Sequence, residues 1–382
     1  MKPKTLAALL LPCFVLVSAP APAANVVIGP SGCNEAGLDS ALASVQSSGG
    51  GTITFNCGNA TIPFTGYKQV SGTVAIDGGD VIVFDGGASS AFFQVFASGT
   101  LSLRRLTLQH GRFSGSHALE NFGFLRLDRV RMQANVSNGP TIQNQGGLII
   151  ERSTFSGNSN TDVELAGCGG VLYNDGGEAT VRTSTFVGNQ AGTGGSAICS
   201  TSDLDIADST FTGNATTEKA SGSAIYMTGG TGRVRYATIV GNTGHAYGGG
   251  IYSADPAVLT ISRSIIAYNE GGNCNGSSTA LVSGGYNVWA GATMCSFIGP
   301  GDGTGDPMLG ALANNGGPTQ TMLPASGSAA VDRIPGPECE LPLDQRGAVR
   351  PEGPMLPSSG LCDSGAVERS STIDVIFYDS FD

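Results

Sequence analysis

The chain has 382 residues, of which only 13% are charged and 59 are glycine, and its net charge is −11. With lysine only at positions 2, 4, 68 and 219, so acidic a chain excludes nucleic acid or an anionic membrane as a general partner, since both need a basic face. A hydrophobic content of 40% excludes a disordered chain, and the glycine excess suits stacked strands joined by tight turns.

Residues 1–23 read as a secretory signal. Lys2 and Lys4 precede an apolar stretch from Leu6 to Val17, and Ala21-Pro22-Ala23 forms a small-residue cleavage site. The stretch is too short to span a bilayer. Cys13 offers a lipoprotein alternative, weakened because Pro12 precedes it and the apolar run continues past it. The expectation is an exported, monomeric protein without a membrane span, extracellular or on the cell surface, with the periplasm also open.

Residues 24–100 are expected to form an N-terminal cap and the first coils of a repeat. An amphipathic helix from Leu38 to Val45 would cover the open end of a strand stack, and Thr73 to Phe96 would supply early coils. Residues 101–272 carry the repeat itself. Ser153-Thr154-Phe155-Ser156-Gly157-Asn158 recurs at Ser184–Asn189 and Ser209–Asn214, with weaker copies at Ala237–Asn242 and Ser264–Asn269. Counting from Asn135, the asparagines are 23, 31, 25, 28 and 27 residues apart, a period that means stacked coils.

Upstream of each asparagine, apolar residues alternate at period two, the mark of strands with one buried face. The predicted inward sets are Leu125, Leu127, Val130 and Met132, then Leu148, Ile150, Ser153 and Phe155, then Leu204, Ile206, Ser209 and Phe211. A two-residue gap inside each set predicts a bend between two short strands. A second motif, seen at Gly169–Tyr173, Gly195–Cys199, Gly222–Tyr226 and Gly249–Tyr252, adds a third strand. Three strands per coil without helical periodicity predict an all-β, right-handed parallel β-helix of the pectate-lyase-like kind. Phe155, Phe186 and Phe211 should then stack in the core, and the asparagines should form a ladder at a turn.

Residues 273–369 hold most of the prolines and read as a disulfide-tied C-terminal cap packed along the solenoid; 370–382 form an acidic, aromatic tail, either a sorting address or an added edge strand. Apart from Cys13 there are eight cysteines, an even number that suggests disulfides in an exported chain. The simplest pairing is sequential: Cys33–Cys57, Cys168–Cys199, Cys274–Cys295 and Cys339–Cys362. Spacing alone does not fix it, and Cys168 and Cys199 occupy different positions within the repeat.

The paired F-x-x-N and G-G-[A/S/V]-[I/L] motifs resemble the passenger repeats of polymorphic outer-membrane proteins. Cys33–Leu38 with Gly49–Phe55, and the C-terminal runs Asp306–Gly310, Asn315–Thr321, Leu343-Asp344-Gln345-Arg346-Gly347 and Cys362–Glu368, resemble bacterial β-helix proteins with a choice-of-anchor Q domain. The resemblance covers roughly residues 33–369 and implies a secreted or surface-displayed solenoid. No run of outer-membrane strands follows, against an autotransporter.

Many right-handed β-helices are polysaccharide lyases or hydrolases, and each chemistry needs its own set of side chains. A galacturonase-like hydrolase needs clustered aspartates; Asn160-Thr161-Asp162 imitates one element, but no adjacent aspartate pair exists. A lyase needs acidic calcium ligands beside a basic residue that removes a proton. Asp203, Asp205 and Asp208, with Arg182 and Arg235 one coil away on either side, are the catalytic candidates, and only this alternative implies a cofactor, Ca²⁺. His110, His117 and His245 are scattered and predict no metal site. Serine-elbow and phosphate-loop motifs lack the helix each requires.

Two outward columns remain. Arg104, Arg105, Arg126, Arg129, Arg131, Arg152 and Arg182 concentrate basic charge on the early coils, either balanced by interleaved Asp128 and Glu151 or suited to an anionic ligand. Tyr173, Tyr226 and Tyr252 form an aromatic column that either packs on itself or stacks on sugar rings. Arg105, Arg129, Arg152, Tyr173, Tyr226 and Tyr252 are therefore the ligand-binding candidates. The expected function is recognition of a carbohydrate or another cell surface, with a polysaccharide lyase or glycoside hydrolase as the alternative.

Overall fold

The structure is a computed structural model that describes residues 23–113, 117–160, 168–217, 223–245, 248–291, 295–351 and 360–369. The expected signal sequence, Asp162 and the acidic aromatic tail lie outside the described residues.

The chain coils into a parallel β-helix. A broad sheet takes two strand positions from each coil. At the first position Gly147–Glu151, Glu178–Arg182, Leu204–Ala207, Thr231–Arg235 and Val258–Ser262 pair in parallel, one coil to the next. At the second, Thr154–Ser156, Thr185–Val187, Thr210–Thr212, Thr238–Val240 and Ile265–Ala267 do the same. In three earlier coils a single strand, Thr73–Asp85, Thr100–Gln109 or Phe124–Gln133, runs through both positions. A nine-stranded sheet from Lys68–Val70 to Cys274–Gly276 closes the far side. A narrow sheet of two-residue strands, from Arg112–Phe113 to Ala215–Thr216, adds a fourth segment per coil that periodicity did not reveal, because two residues cannot show alternation.

Alternation did locate the core. Leu125, Leu127, Val130, Met132, Ile150, Phe155, Ile206 and Phe211 are fully buried, as are Ser153 and Ser209. Phe155, Phe186 and Phe211 stack at 4.6 and 4.9 Å between ring centres, with interplanar angles of 12° and 8°. The serines form a ladder as well, in which each backbone N–H donates to the hydroxyl one coil on: Val130 to Ser153, Ser153 to Ser184 and Ser184 to Ser209.

At the turn after the second strand, the side-chain amides of Asn135, Asn158, Asn189, Asn214 and Asn242 each donate to the next asparagine's oxygen at 2.8–2.9 Å. Asn158, Asn189, Asn214 and Asn242 also donate to a backbone carbonyl of the preceding coil at 3.0 Å. Every donor in the ladder is thus satisfied, which makes burial of these amides tolerable. A second ladder, Asn121 to Asn144 to Asn174 to the Ser200 hydroxyl, escaped the sequence reading.

The stack begins earlier and ends later than the repeat signature. Ala24–Ile28 already pairs with Gly51–Phe55, and Leu281–Gly285, Val288–Ala290 and Gly303–Thr304 extend it past residue 272. Backbone pairing needs no Phe or Asn signature, so coils persist where side chains diverge. A helix, Glu35–Ser47, buries Leu38, Ala41, Leu42 and Val45, and the Asn34 side chain accepts from the Gly37 N–H at its start. Lys68 ties it to the coils through Glu35 at 2.6 Å and Asp39 at 2.9 Å.

All four sequential disulfides form, with Cα separations of 5.9, 5.5, 4.8 and 6.1 Å. Cys168, just before strand Leu172–Asn174, reaches Cys199 on the strand one coil on, so the mismatch within the repeat is bridged by a loop residue.

Candidate functional site, an arginine-lined groove along the bend

Between the two strand positions of the broad sheet, one residue per coil adopts the left-handed conformation. In chain order these are Arg105, Arg129, Arg152, Thr183, Asp208, Tyr236, Arg263 and Tyr286, with φ between 45° and 58°. Left-handed geometry is costly for residues with a Cβ, roughly 1–2 kcal/mol each. Here it turns the strand so that the apolar residues on either side both face inward. It also projects the intervening side chain outward, and the eight residues form one column along the solenoid.

The C-terminal segment folds back over the later half of this column. Arg350 donates to the Asp208 carboxylate at 3.1 Å and lies 4.2 Å from the Tyr236 ring centre. Glu338 and Glu340 pair with Arg263 at 3.2 and 3.0 Å. The motif residues that carried the family resemblance are docking contacts. The Gln345 side chain donates to the Thr185 and Thr319 hydroxyls, both at 2.9 Å, and accepts from Thr210 at 2.7 Å. The Gly365 and Ala366 N–H groups bond Arg263 and Thr238 of the solenoid. Asp208, Tyr236 and Arg263 are consequently buried.

The early half of the column stays open. Where the C-terminal segment ends its run, turns at 314–318 and 341–347 form one wall of a groove of about 1120 Å³, and Arg129, Val130, Arg131, Arg152, Thr154, Arg182 and Thr183 form the floor. A second hollow of about 270 Å³, lined by Asp77, Arg104, Arg105, Asp128, Arg129 and Arg152, continues it toward the N-terminal coils. The wall is apolar at Pro318, Leu341 and Leu343 and carries Asp344 and Arg346; the other charges of the lining are basic apart from Asp80 and Asp208.

Not all of this charge is free. Arg105 grips Asp77 through two bonds of 2.9 and 2.7 Å, and Arg152 pairs with Asp128 at 2.7 Å. Arg126 pairs with Glu151, and Arg182 with Asp205 at 2.6 Å. The interleaved carboxylates therefore do part of the balancing. Arg129 and Arg131 are exposed and have no hydrogen-bond or ion-pair partner among the described residues. Arg104 holds the Ser102 hydroxyl at 3.1 Å and lies in register between Asp77 and Asp128, where, against the opposing effect of burial, it helps to lower the Asp77 carboxyl.

The lyase candidates do not converge. Asp203 accepts from the Thr231 backbone N–H and hydroxyl, both at 2.8 Å, and these bonds hold its carboxyl below the usual range. Asp205 lies between Arg182 and Arg235, with Arg235 at 3.0 Å. Of the five, only Arg182 and Asp208 line the groove. Burial pushes the Asp208 carboxyl up to about 7, against the opposing pull of Arg350. No group of three or more His, Cys, Asp or Glu among the described residues could hold a metal ion.

The tyrosines lie on the nine-stranded sheet, away from the groove lining. Tyr226 and Tyr252 are half-buried and stacked at 4.9 Å, and the Tyr173 hydroxyl donates to Asp175 at 3.2 Å. The groove's wall was invisible to sequence reasoning, because the residues that build it lie more than 130 positions from those they touch.

Fold and groove together define a parallel β-helix protein whose C-terminal segment laces back along its own bend. No family model matches the chain, and no curated protein matches it. Among solved structures it is similar to a mutant form of AlyGC, an alginate lyase of the PL6 family, at 11% identity and a TM-score of 0.29, over 80% of this chain and 56% of that one. The chain thus spans about half the length of the structure it matches. Four disulfides fit an oxidising, exported setting, and no helix among the described residues is long and apolar enough to cross a membrane.

Proposed function

We propose that this is an exported β-helix protein that binds an acidic polysaccharide in the arginine-lined groove. The observation that carries the reading is the pair Arg129 and Arg131: no carboxylate partners them among the described residues, in a chain whose net charge is −11. Guanidinium groups left unpaired in so acidic a protein are suited to carboxylate or sulfate, which their planar donors engage in pairs. An elongated groove crossing successive coils suits a polymer better than a small molecule. The resemblance of the C-terminal motifs to choice-of-anchor Q proteins supports display at the cell surface as the setting.

Cleavage of the same polymer is the second reading, favoured by Asp208. It lines the inner end of the groove, and a carboxyl raised to about 7 falls in the range of a general acid or base. A panel of acidic and neutral polysaccharides, followed for both retention and unsaturated-product absorbance, separates the two. Retention of acidic polymers without new absorbance is the expected result. Absorbance that Asp208→Asn abolishes would replace binding by lyase activity, and retention of no acidic polymer would overturn both readings.

A further inference from the structure

The described chain leaves the solenoid beside the groove. The Arg346 guanidinium, part of the groove wall, donates to the Glu368 carbonyl at 2.5 Å, and the Glu368 N–H donates to Asp344, another lining residue. The thirteen residues that follow, 370–382, contain Asp374, Asp379 and Asp382 and no basic residue. Between these acids lie Val375, Ile376, Phe377, Tyr378 and Phe381. Anionic and apolar groups thus alternate in a segment tethered at the mouth of a groove with a mainly basic floor and a partly apolar wall.

We propose that residues 370–382 dock in this groove in cis, as an internal occupant that an acidic ligand must displace. Reach permits it. Thirteen extended residues span up to roughly 43 Å at about 3.3 Å each. The bend from Asp208 back to Arg105 crosses four coil steps of about 4.8 Å, roughly 19 Å. Charge permits it too, with three aspartates in the tail against the uncompensated Arg129 and Arg131 in the groove. Tethering supplies an effective concentration in the millimolar range, so even a weak contact is largely formed. The tail would keep exposed arginines from unselective anions and set a threshold for the true ligand. The proposal shares the groove with the reading above but does not depend on a polysaccharide.

Two experiments test it. In the full chain, limited chymotrypsin digestion should cut at Phe377, Tyr378 and Phe381 slowly, and an Arg129→Ala, Arg131→Ala double variant should speed cleavage about tenfold. A labelled peptide of residues 370–382 should bind the chain lacking those residues and bind the full chain at least tenfold more weakly. Unchanged cleavage in the double variant, or a peptide that ignores the shortened chain, overturns the proposal. A concentration-dependent dimer that disappears on removing the tail overturns docking in cis. If the peptide binds but acidic polysaccharides fail to displace it, tail docking stands and the polysaccharide reading falls. If polysaccharide binds and removing the tail leaves its affinity unchanged, the reverse holds.

Discussion

Arg350 and Asp208 lie 142 residues apart in the chain, yet the guanidinium donates to the carboxylate at 3.1 Å, with Arg350 buried and Asp208 reaching solvent only through the inner end of the groove. This pair pins the C-terminal segment to the bend column. The same column is a socket for the chain's own segment in its later coils and an open basic groove in its earlier ones. The change comes at Thr183, where the segment ends its run.

The pair predicts a pH-dependent hold. Burial raises Asp208 to about 7 and Asp363 to about 6, both above the range of an exposed carboxylate. A raised carboxyl binds its proton more tightly in the folded state. Its contribution to stability is therefore full below the unfolded range, near 4, and lost as pH rises through about 7. Melting temperature should fall between pH 5 and pH 8, and Asp208→Asn should flatten that slope. A wild-type profile that rises over the window would contradict the prediction.

Arg350→Ala should destabilise the protein by about 3–5 kcal/mol above pH 7, where it leaves an ionised Asp208 buried without its cation. Gln345→Ala should cost about 3 kcal/mol, since the Thr185, Thr210 and Thr319 hydroxyls all lose a buried partner. Hydrogen exchange should localise both losses to the strands from 183 to 240 and to the C-terminal segment. Uniform loss of protection along the solenoid would show that the segment does not act locally.

Arg129→Ala and Arg131→Ala should each change stability by less than about 0.5 kcal/mol, since neither side chain holds a partner among the described residues. Together they should weaken retention of acidic polysaccharide at least tenfold and reduce its salt dependence. Arg105→Ala is the control: it frees Asp77, and some stability should be lost with the binding.

Phe186→Ala removes the middle ring of the stack and should cost about 3–5 kcal/mol, as for other large buried aromatics. Replacing Cys168 and Cys199 by serine opens a loop of sequence separation 31 and should cost about 3–4 kcal/mol on the chain-entropy account. Urea unfolding of each variant checks both values.

The repeats wrote most of the solenoid into the sequence. Each coil places like residues one strand spacing apart, so alternation identified the buried faces and recurrence identified the phenylalanine and asparagine ladders without any long-range information. The second ladder, at Asn121, Asn144 and Asn174, lies in a shorter phrase, [L/I]-x-N-x-G, too brief to stand out beside the longer one. The arginine column was legible for the same reason as the core, as an outward position repeated coil by coil.

What the sequence could not determine was which of those arginines are free and what wall faces them. Arg105 and Arg152 are engaged by Asp77 and Asp128 on neighbouring coils, while Arg129 between them is not. That depends on rotamers and register, which periodicity does not specify. The groove depends on contacts such as Gln345 to Thr185, across 160 residues. Local pattern sets a coil because its partners are one period away; only the folded chain decides what a segment without a period lies against.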